Sequence, residues 1–101
     1  MPDTTWKAAE RAIARFFSTE RTGPRGENWP DCISASYAIE VKHRKTFPAW
    51  LKDAIAQART NGATHAPDKL AIVVLHEAGT RYDECPVIVT TLRDWIEWFG
   101  E

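Results

Sequence analysis

Pro30-Asp31-Cys32-Ile33-Ser34-Ala35-Ser36-Tyr37-Ala38-Ile39-Glu40-Val41-Lys42 is the stretch on which the fold of this chain turns. Its short apolar runs are broken by small polar residues, and they predict a strand over 31–34 and a stronger one over 36–44. A strand period of two puts Ile39 and Val41 on one face and Glu40 and Lys42 on the other. An acid at Asp31 is thus followed, on the next predicted strand, by an acid and a lysine that share a face. Each half of the pattern is weak alone. Pro-Asp recurs at Pro2-Asp3 and Pro67-Asp68, and eight Glu with five Lys give about 0.4 chance matches to Glu-x-Lys in a chain of this length. Together they have a physical rationale. Two carboxylates roughly 5 Å apart repel by about 3 kcal/mol at an effective dielectric near 20, and a hard divalent cation turns that repulsion into binding. Lys42 would stand beside such a cation as a point charge for a water or a phosphate oxygen. The alternative is a solvated strand face with a local Glu–Lys pair.

Outward from this stretch, Thr4 or Thr5 caps a predicted first helix running to about residue 18. Its apolar stripe is Trp6, Ala9, Ile13, Phe16 and Phe17, and Glu10 lies at the stripe's edge. The glycine- and proline-bearing segment 19–28 reads as a loop. Pro48 opens a second helix that Gly62 can end, with an apolar arc of Trp50, Leu51, Ala54, Ile55 and Ala58 and with Gln57 at its margin. The aliphatic run 70–75 predicts a strand buried on both faces, 86–90 another strand, and Leu92, Trp95, Ile96 and Phe99 the stripe of a closing helix. The order helix, strands, helix, strand, strand, helix predicts an α/β fold in which a mixed sheet is flanked by helices.

The 101 residues predict one domain, 1–101, and five Trp beside four Phe and two Tyr are enough to fill much of a small core. No apolar run approaches the roughly 18 residues of a membrane span, and no signal-peptide core opens the chain, so a cytoplasmic protein is expected. Cys32 and Cys85 are too few for a disulfide scaffold or a four-cysteine zinc module; both fall in predicted strands, as small core residues. His65 and His76 have no partner at metal spacing. The net charge of −1 conceals an asymmetry: residues 1–60 carry ten basic and seven acidic groups (+3), and residues 61–101 three and seven (−4). A basic working face is compatible with that distribution, as is ordinary solvated charge.

Pro30-Asp31, Glu40-x-Lys42, a preceding helix with Glu10 and a following helix with Gln57 resemble the PD-(D/E)XK nuclease superfamily, most of all its small archaeal-type and phage Holliday junction resolvases. The resemblance spans residues 10 to about 75. It implies a restriction-endonuclease-like αβββαβ core, although the strand that would precede Asp31 must be short or lie within the glycine-proline loop. It implies Mg²⁺, with Mn²⁺ able to substitute, held by Asp31, Glu40 and the Val41 carbonyl. Lys42 would orient the attacking water, Glu10 would help hold a metal or its water, and Gln57 would support the site by hydrogen bonding. The implied activity is endonucleolytic phosphodiester hydrolysis of branched or four-way DNA in recombination, by a homodimer. His43, Arg44 and Lys45, with Arg11, Arg15 and Arg25, are the expected DNA-backbone contacts. The alternatives are another compact nuclease of the superfamily, nicking or VRR-type, or a non-catalytic DNA-binding module on the same fold. Trp98 lies off its helix's stripe and is a candidate for a subunit interface.

Overall fold

The computed structural model describes residues 5–23, 28–84 and 86–100. Thr4, Arg25 and Cys85, named above for a cap, a DNA contact and the core, lie outside them. The elements follow the order α1 (Thr5–Phe16), β1 (Cys32–Ile33), β2 (Ala38–Ile39), α2 (Ala49–His65), β3 (Val73–Leu75), β4 (Val87–Val89) and α3 (Leu92–Phe99). The described residues thus make a small mixed α/β protein of three helices and two antiparallel two-stranded sheets, β1-β2 and β3-β4. Two sheets stand where one mixed sheet was expected. The chain divides into two compact units, one reaching to Lys45 and one spanning Thr46–Gly100.

In the first unit, α1 turns a different face inward from the expected one. Glu10, Ala14 and, just past the helix, Phe17 are buried, at i, i+4 and i+7, whereas Trp6 and Phe16 are half exposed. The small side chain of Ala14 lets α1 pack against β1, where Cys32 is fully buried. The helix ends in a Schellman motif. Thr19 N–H donates to the Ala14 carbonyl (3.0 Å), Ser18 N–H donates to that of Arg15 (3.1 Å), and Ser18 takes a left-handed φ of 56°.

The chain then returns along β1. Thr19 Oγ1 donates to the Ile33 carbonyl (2.6 Å), Arg21 bridges Cys32 in antiparallel sense, and Thr22 N–H donates to the Asp31 carbonyl (2.8 Å). Part of the expected loop is therefore a short strand-like rung on one side of β1. On the other side β2 pairs Cys32 with Ile39 and Ile33 with Ala38. The hairpin turn is closed by Ser34 N–H to the Tyr37 carbonyl (2.9 Å) and by Tyr37 N–H to Ser34 Oγ (3.1 Å). Phe17 meets the Tyr37 ring edge to face at 5.8 Å. This turn takes up Ser34, Ser36 and Tyr37, which were expected in the strands.

In the second unit, Pro48 stands at the N-cap of α2, and the helix runs through Gly62 to His65 before Ala66 N–H returns to the Gly62 carbonyl (2.8 Å). Gly62 therefore does not end the helix. It allows close approach instead, since a Cβ built there would lie 3.4 Å from that of Ala71. β3 and β4 pair in the register Val73–Val89, Val74–Ile88 and Leu75–Val87, and Thr90 Oγ1 adds a bond to the Ala71 carbonyl (2.9 Å). The run 70–75 is not buried on both faces: Ile72 and Val74 are exposed while Val73 and Leu75 are half-buried, the alternation of an antiparallel pair with one open face. Trp50, expected in the α2 arc, is also exposed. Thr91 caps α3 by accepting from Asp94 N–H (3.2 Å), and Gly100, at φ 77°, ends it. Arg59 of α2 forks onto the Asp94 carboxylate of α3 at 2.9 and 3.4 Å.

Candidate functional site

Asp31 stands immediately before β1, at the open end of the hairpin. Its carbonyl is held by Thr22 N–H, and its carboxylate Oδ2 accepts from Val41 N–H at 2.7 Å. Beyond the last ladder pair, Cys32–Ile39, the β2 backbone is thus bound by a side chain instead of by a strand. That bond fastens Glu40, Val41 and Lys42 beside Asp31. The Glu40 and Glu10 carboxyls are both near enough to influence it. Burial pushes the Asp31 carboxyl up. The Val41 N–H bond, the Glu40 and Glu10 contacts and the Lys42 charge together outweigh it and hold Asp31 below its ordinary value, fully ionised near neutrality.

Glu10 is 7% exposed and lies in the middle of the inward face of α1, not at its edge. A carboxylate there needs a cation. The residue that supplies it is Arg21, whose Nε–H donates to Glu10 Oε2 and whose guanidinium lies 5.5 Å from the Trp6 ring centroid. The protein's own arginine thus supplies a counter-charge at Glu10. Sequence reasoning missed Arg21 because it falls in the segment read as loop. The only hint was its place between Thr19 and Thr22, β-branched residues suited to a strand edge. Cys32 lies next to this cluster, and burial, with the Asp31 and Glu10 charges, pushes its thiol up, leaving it a core residue with little thiolate.

Lys42 Nζ is 3.5 Å from Glu40 Oε1, with the two side chains 66% and 58% exposed, so the pair faces solvent and adds little stability. His43, Arg44 and Lys45 are exposed in irregular chain; they do not extend the strand, which ends at Ile39 because Val41 is bound to Asp31. Arg11 and Arg15 line a groove together with Thr19, Glu20 and Arg21. Gln57 is exposed on α2, in the second unit. The structure therefore brings Glu10, Asp31, Glu40, Val41 and Lys42 together around one end of the hairpin.

Among the described residues, no three His, Cys, Asp or Glu side chains are arranged to hold a metal ion. Each carboxyl has a partner of its own: Val41 N–H for Asp31, Arg21 for Glu10 and Lys42 for Glu40. That donor set does not make the closed cage of an all-protein site. A cation such as Mg²⁺ needs only one or two protein carboxylates, because it keeps several waters and completes its shell with substrate phosphate. No helix among the described residues is long and apolar enough to cross a membrane. No family model, curated protein or solved structure matches the chain.

Proposed function

We propose that the chain is a Mg²⁺-dependent DNA endonuclease of the PD-(D/E)XK kind. The observation that carries this reading is the Asp31–Val41 bond, which gathers an ionised aspartate, a second carboxylate and a lysine at one exposed end of a hairpin. Asp31, Glu40 and the Val41 carbonyl would hold the cation, which when bound supplies an activated water and charge stabilisation at the scissile phosphate. Lys42 orients that water and offsets the negative charge that grows on the phosphoryl oxygens. Glu10, itself held by Arg21, would help hold the cation or its water. Asp31 needs no proton removed near neutrality, so the site is ready to take a cation at physiological pH.

The restriction-endonuclease-like core belongs to this proposal, with the Arg21 rung in the role of the short strand before Asp31. So does the choice of substrate. A four-way junction needs two symmetric cuts, and a two-fold homodimer supplies two sites. His43, Arg44 and Lys45 would grip the backbone without reading sequence. The deciding experiment incubates labelled four-way junction and matched duplex with the protein, with Mg²⁺ and with EDTA. Mg²⁺-dependent cutting of the junction in preference to duplex is the expected result. Equal cutting of both removes the junction assignment and leaves a general nuclease. Binding without cutting leaves a DNA-binding module.

A further inference from the structure

Trp98, which lies off the apolar stripe of α3, lines a cavity of about 590 Å³ inside the second unit. Its walls are α2, the segment 67–71 and α3, and Gly62, Ala63 and Ala71 add almost no side chain to them. That volume lies within the usual range of small-molecule sites. Trp95 and Phe99 pack on each other with ring centroids 4.2 Å apart, whereas the Trp98 ring is half exposed and meets no other ring or cation among the described residues. Charge in the cavity is largely matched from within. The Arg59 guanidinium forks onto Asp94, and Lys69 Nζ lies 3.7 Å from the Asp68 carboxylate, which leaves Glu97 without a counter-charge among the described residues. A lone carboxylate repels an anion. An organic cation would suit Glu97 and Trp98 but would meet the Arg59 guanidinium as a like charge. What the lining offers is an uncovered aromatic face, the Glu97 carboxylate as an acceptor, and the Arg59 Nη1 hydrogens, which make no hydrogen bond among the described residues, as donors. A neutral planar ring with donors and acceptors on its edge satisfies all three, and a nucleobase is such a ring.

We infer that this cavity takes a nucleobase, stacked on Trp98 with its edge toward Arg59 and Glu97. Glu97 disfavours a phosphate, so the base enters first and any backbone stays at the mouth. An unpaired base of branched DNA presents itself in that way, and so does the base of a free nucleoside. The inference rests on the nuclease reading only for the first of these sources. It gives Trp98 a ligand in place of a subunit contact.

2-Aminopurine reports the stack, because an aromatic ring laid on it quenches its fluorescence. In EDTA, and across a salt series, the protein is titrated into a duplex with one unpaired 2-aminopurine, into a matched duplex and into free 2-aminopurine riboside, with sedimentation and thermal unfolding of each variant in parallel. Wild type should quench the unpaired base and bind that duplex more tightly than the matched one. Trp98→Ala should weaken this binding about tenfold and leave the salt slope and the affinity for matched duplex unchanged, since stacking on a neutral ring releases no counterion. Trp98→Phe should restore most of the loss. Ala63→Leu, at an exposed position of α2, fills the cavity and should weaken binding to the same order. Saturable, Trp98-dependent quenching of the riboside with no preference for the unpaired base keeps the nucleobase site and assigns it to a free nucleoside. Absence of quenching by wild type, or quenching and affinity in Trp98→Ala equal to wild type, overturns the inference. So does a Trp98→Ala protein that binds normally but changes from dimer to monomer, which makes Trp98 a subunit contact. Should Trp98→Ala fail to fold, undiminished quenching by Ala63→Leu overturns it equally. Trp98-dependent quenching without cleavage under Mg²⁺ keeps the cavity and removes the nuclease, and cleavage with Trp98-independent binding does the reverse.

Discussion

The Nε–H of Arg21 donates to the carboxylate of Glu10, eleven residues earlier, and this ion pair is set into the inward face of α1 beside Ala14 and Cys32. Neither partner can be removed alone without leaving a poorly solvated charge, and breaking a buried pair typically costs 3–5 kcal/mol. The Arg21 side chain is still 20% exposed, so the lower end applies: Arg21→Ala should cost about 3 kcal/mol in urea unfolding. Glu10→Ala should cost about 2 kcal/mol, because the stranded arginine can turn to water more readily than the stranded carboxylate. The double variant should be less destabilised than the two singles added together. Additive losses would mean that the two side chains do not stabilise each other. Glu10→Ala therefore lowers stability as well as activity, and its activity must be compared per folded molecule.

Glu40 and Lys42 are the opposite case. Both are largely exposed, and their ion pair is 3.5 Å long. Glu40→Gln and Lys42→Ala should each change stability by no more than about 0.5 kcal/mol. In the proposed nuclease both should abolish cleavage. Glu40→Gln should also weaken Mn²⁺ binding read by paramagnetic line broadening, whereas Lys42→Ala should leave it nearly intact, because an ammonium is no metal ligand. Wild-type cleavage by either variant would sink the assignment.

How much of this could be read from the sequence depends on the range of the interactions. The order of the elements and the rough extent of the helices follow from local periodicity, and α3, with its Thr91 cap and Gly100 stop, appears where expected. The inward face of α1 was misjudged. Large rings at Trp6 and Phe16 dominate a hydrophobic pattern, while close packing against β1 favours the small Ala14 and tolerates Glu10 once Arg21 neutralises it. That partner is supplied by a chain reversal which a left-handed serine begins, and periodicity carries no trace of it. The strands were over-long because the sequence does not show that a side chain, Asp31, takes the place of the next ladder partner at Val41. The gathering of Asp31, Glu40 and Lys42 was legible because it needs only one hairpin.

Ser18 holds φ at 56° where the Schellman motif ends α1, a conformation that costs a residue with a Cβ about 1 kcal/mol and glycine almost nothing. Its side chain is exposed. Ser18→Gly should therefore stabilise the protein by about 0.5–1 kcal/mol, less the entropy that glycine adds to the unfolded chain. Ser18→Val should destabilise it by more than that. Chemical unfolding of the three proteins decides the matter, and a destabilised Ser18→Gly would show that the terminus does not adopt this turn in solution.

Gly62 sits inside α2 and not at its end, so the helix carries the glycine's entropic cost of about 1 kcal/mol relative to alanine. An added Cβ would meet that of Ala71 at 3.4 Å, close to ordinary contact. Gly62→Ala should therefore raise stability by up to about 1 kcal/mol, whereas Gly62→Val, which pushes two more methyls at Ala71, should lower it. If Gly62 instead ended the helix in a left-handed conformation, alanine too would destabilise the protein.

Asp94 gives a pH dependence whose sign follows from its partners. The forked Arg59 bond holds its carboxyl below the ordinary 3.8, burial opposes that shift, and the Thr91 contact and the Arg59 and Arg93 charges reinforce it. A carboxyl depressed in the folded state binds protons more weakly there than in the unfolded chain, so its contribution to stability is complete above the unfolded value. It is lost as the pH falls through the lower, folded value. Arg59 is half exposed, which screens the pair, and Asp94→Asn should cost no more than about 1 kcal/mol near neutrality. The gap between wild type and Asp94→Asn should stay constant between about pH 5 and pH 7 and close progressively below about pH 4. Arg59→Gln should reproduce the same closing gap, since it removes the first cause of the depression. A gap that persisted undiminished at pH 2 would show that the Asp94 contribution is one of shape or capping rather than of charge.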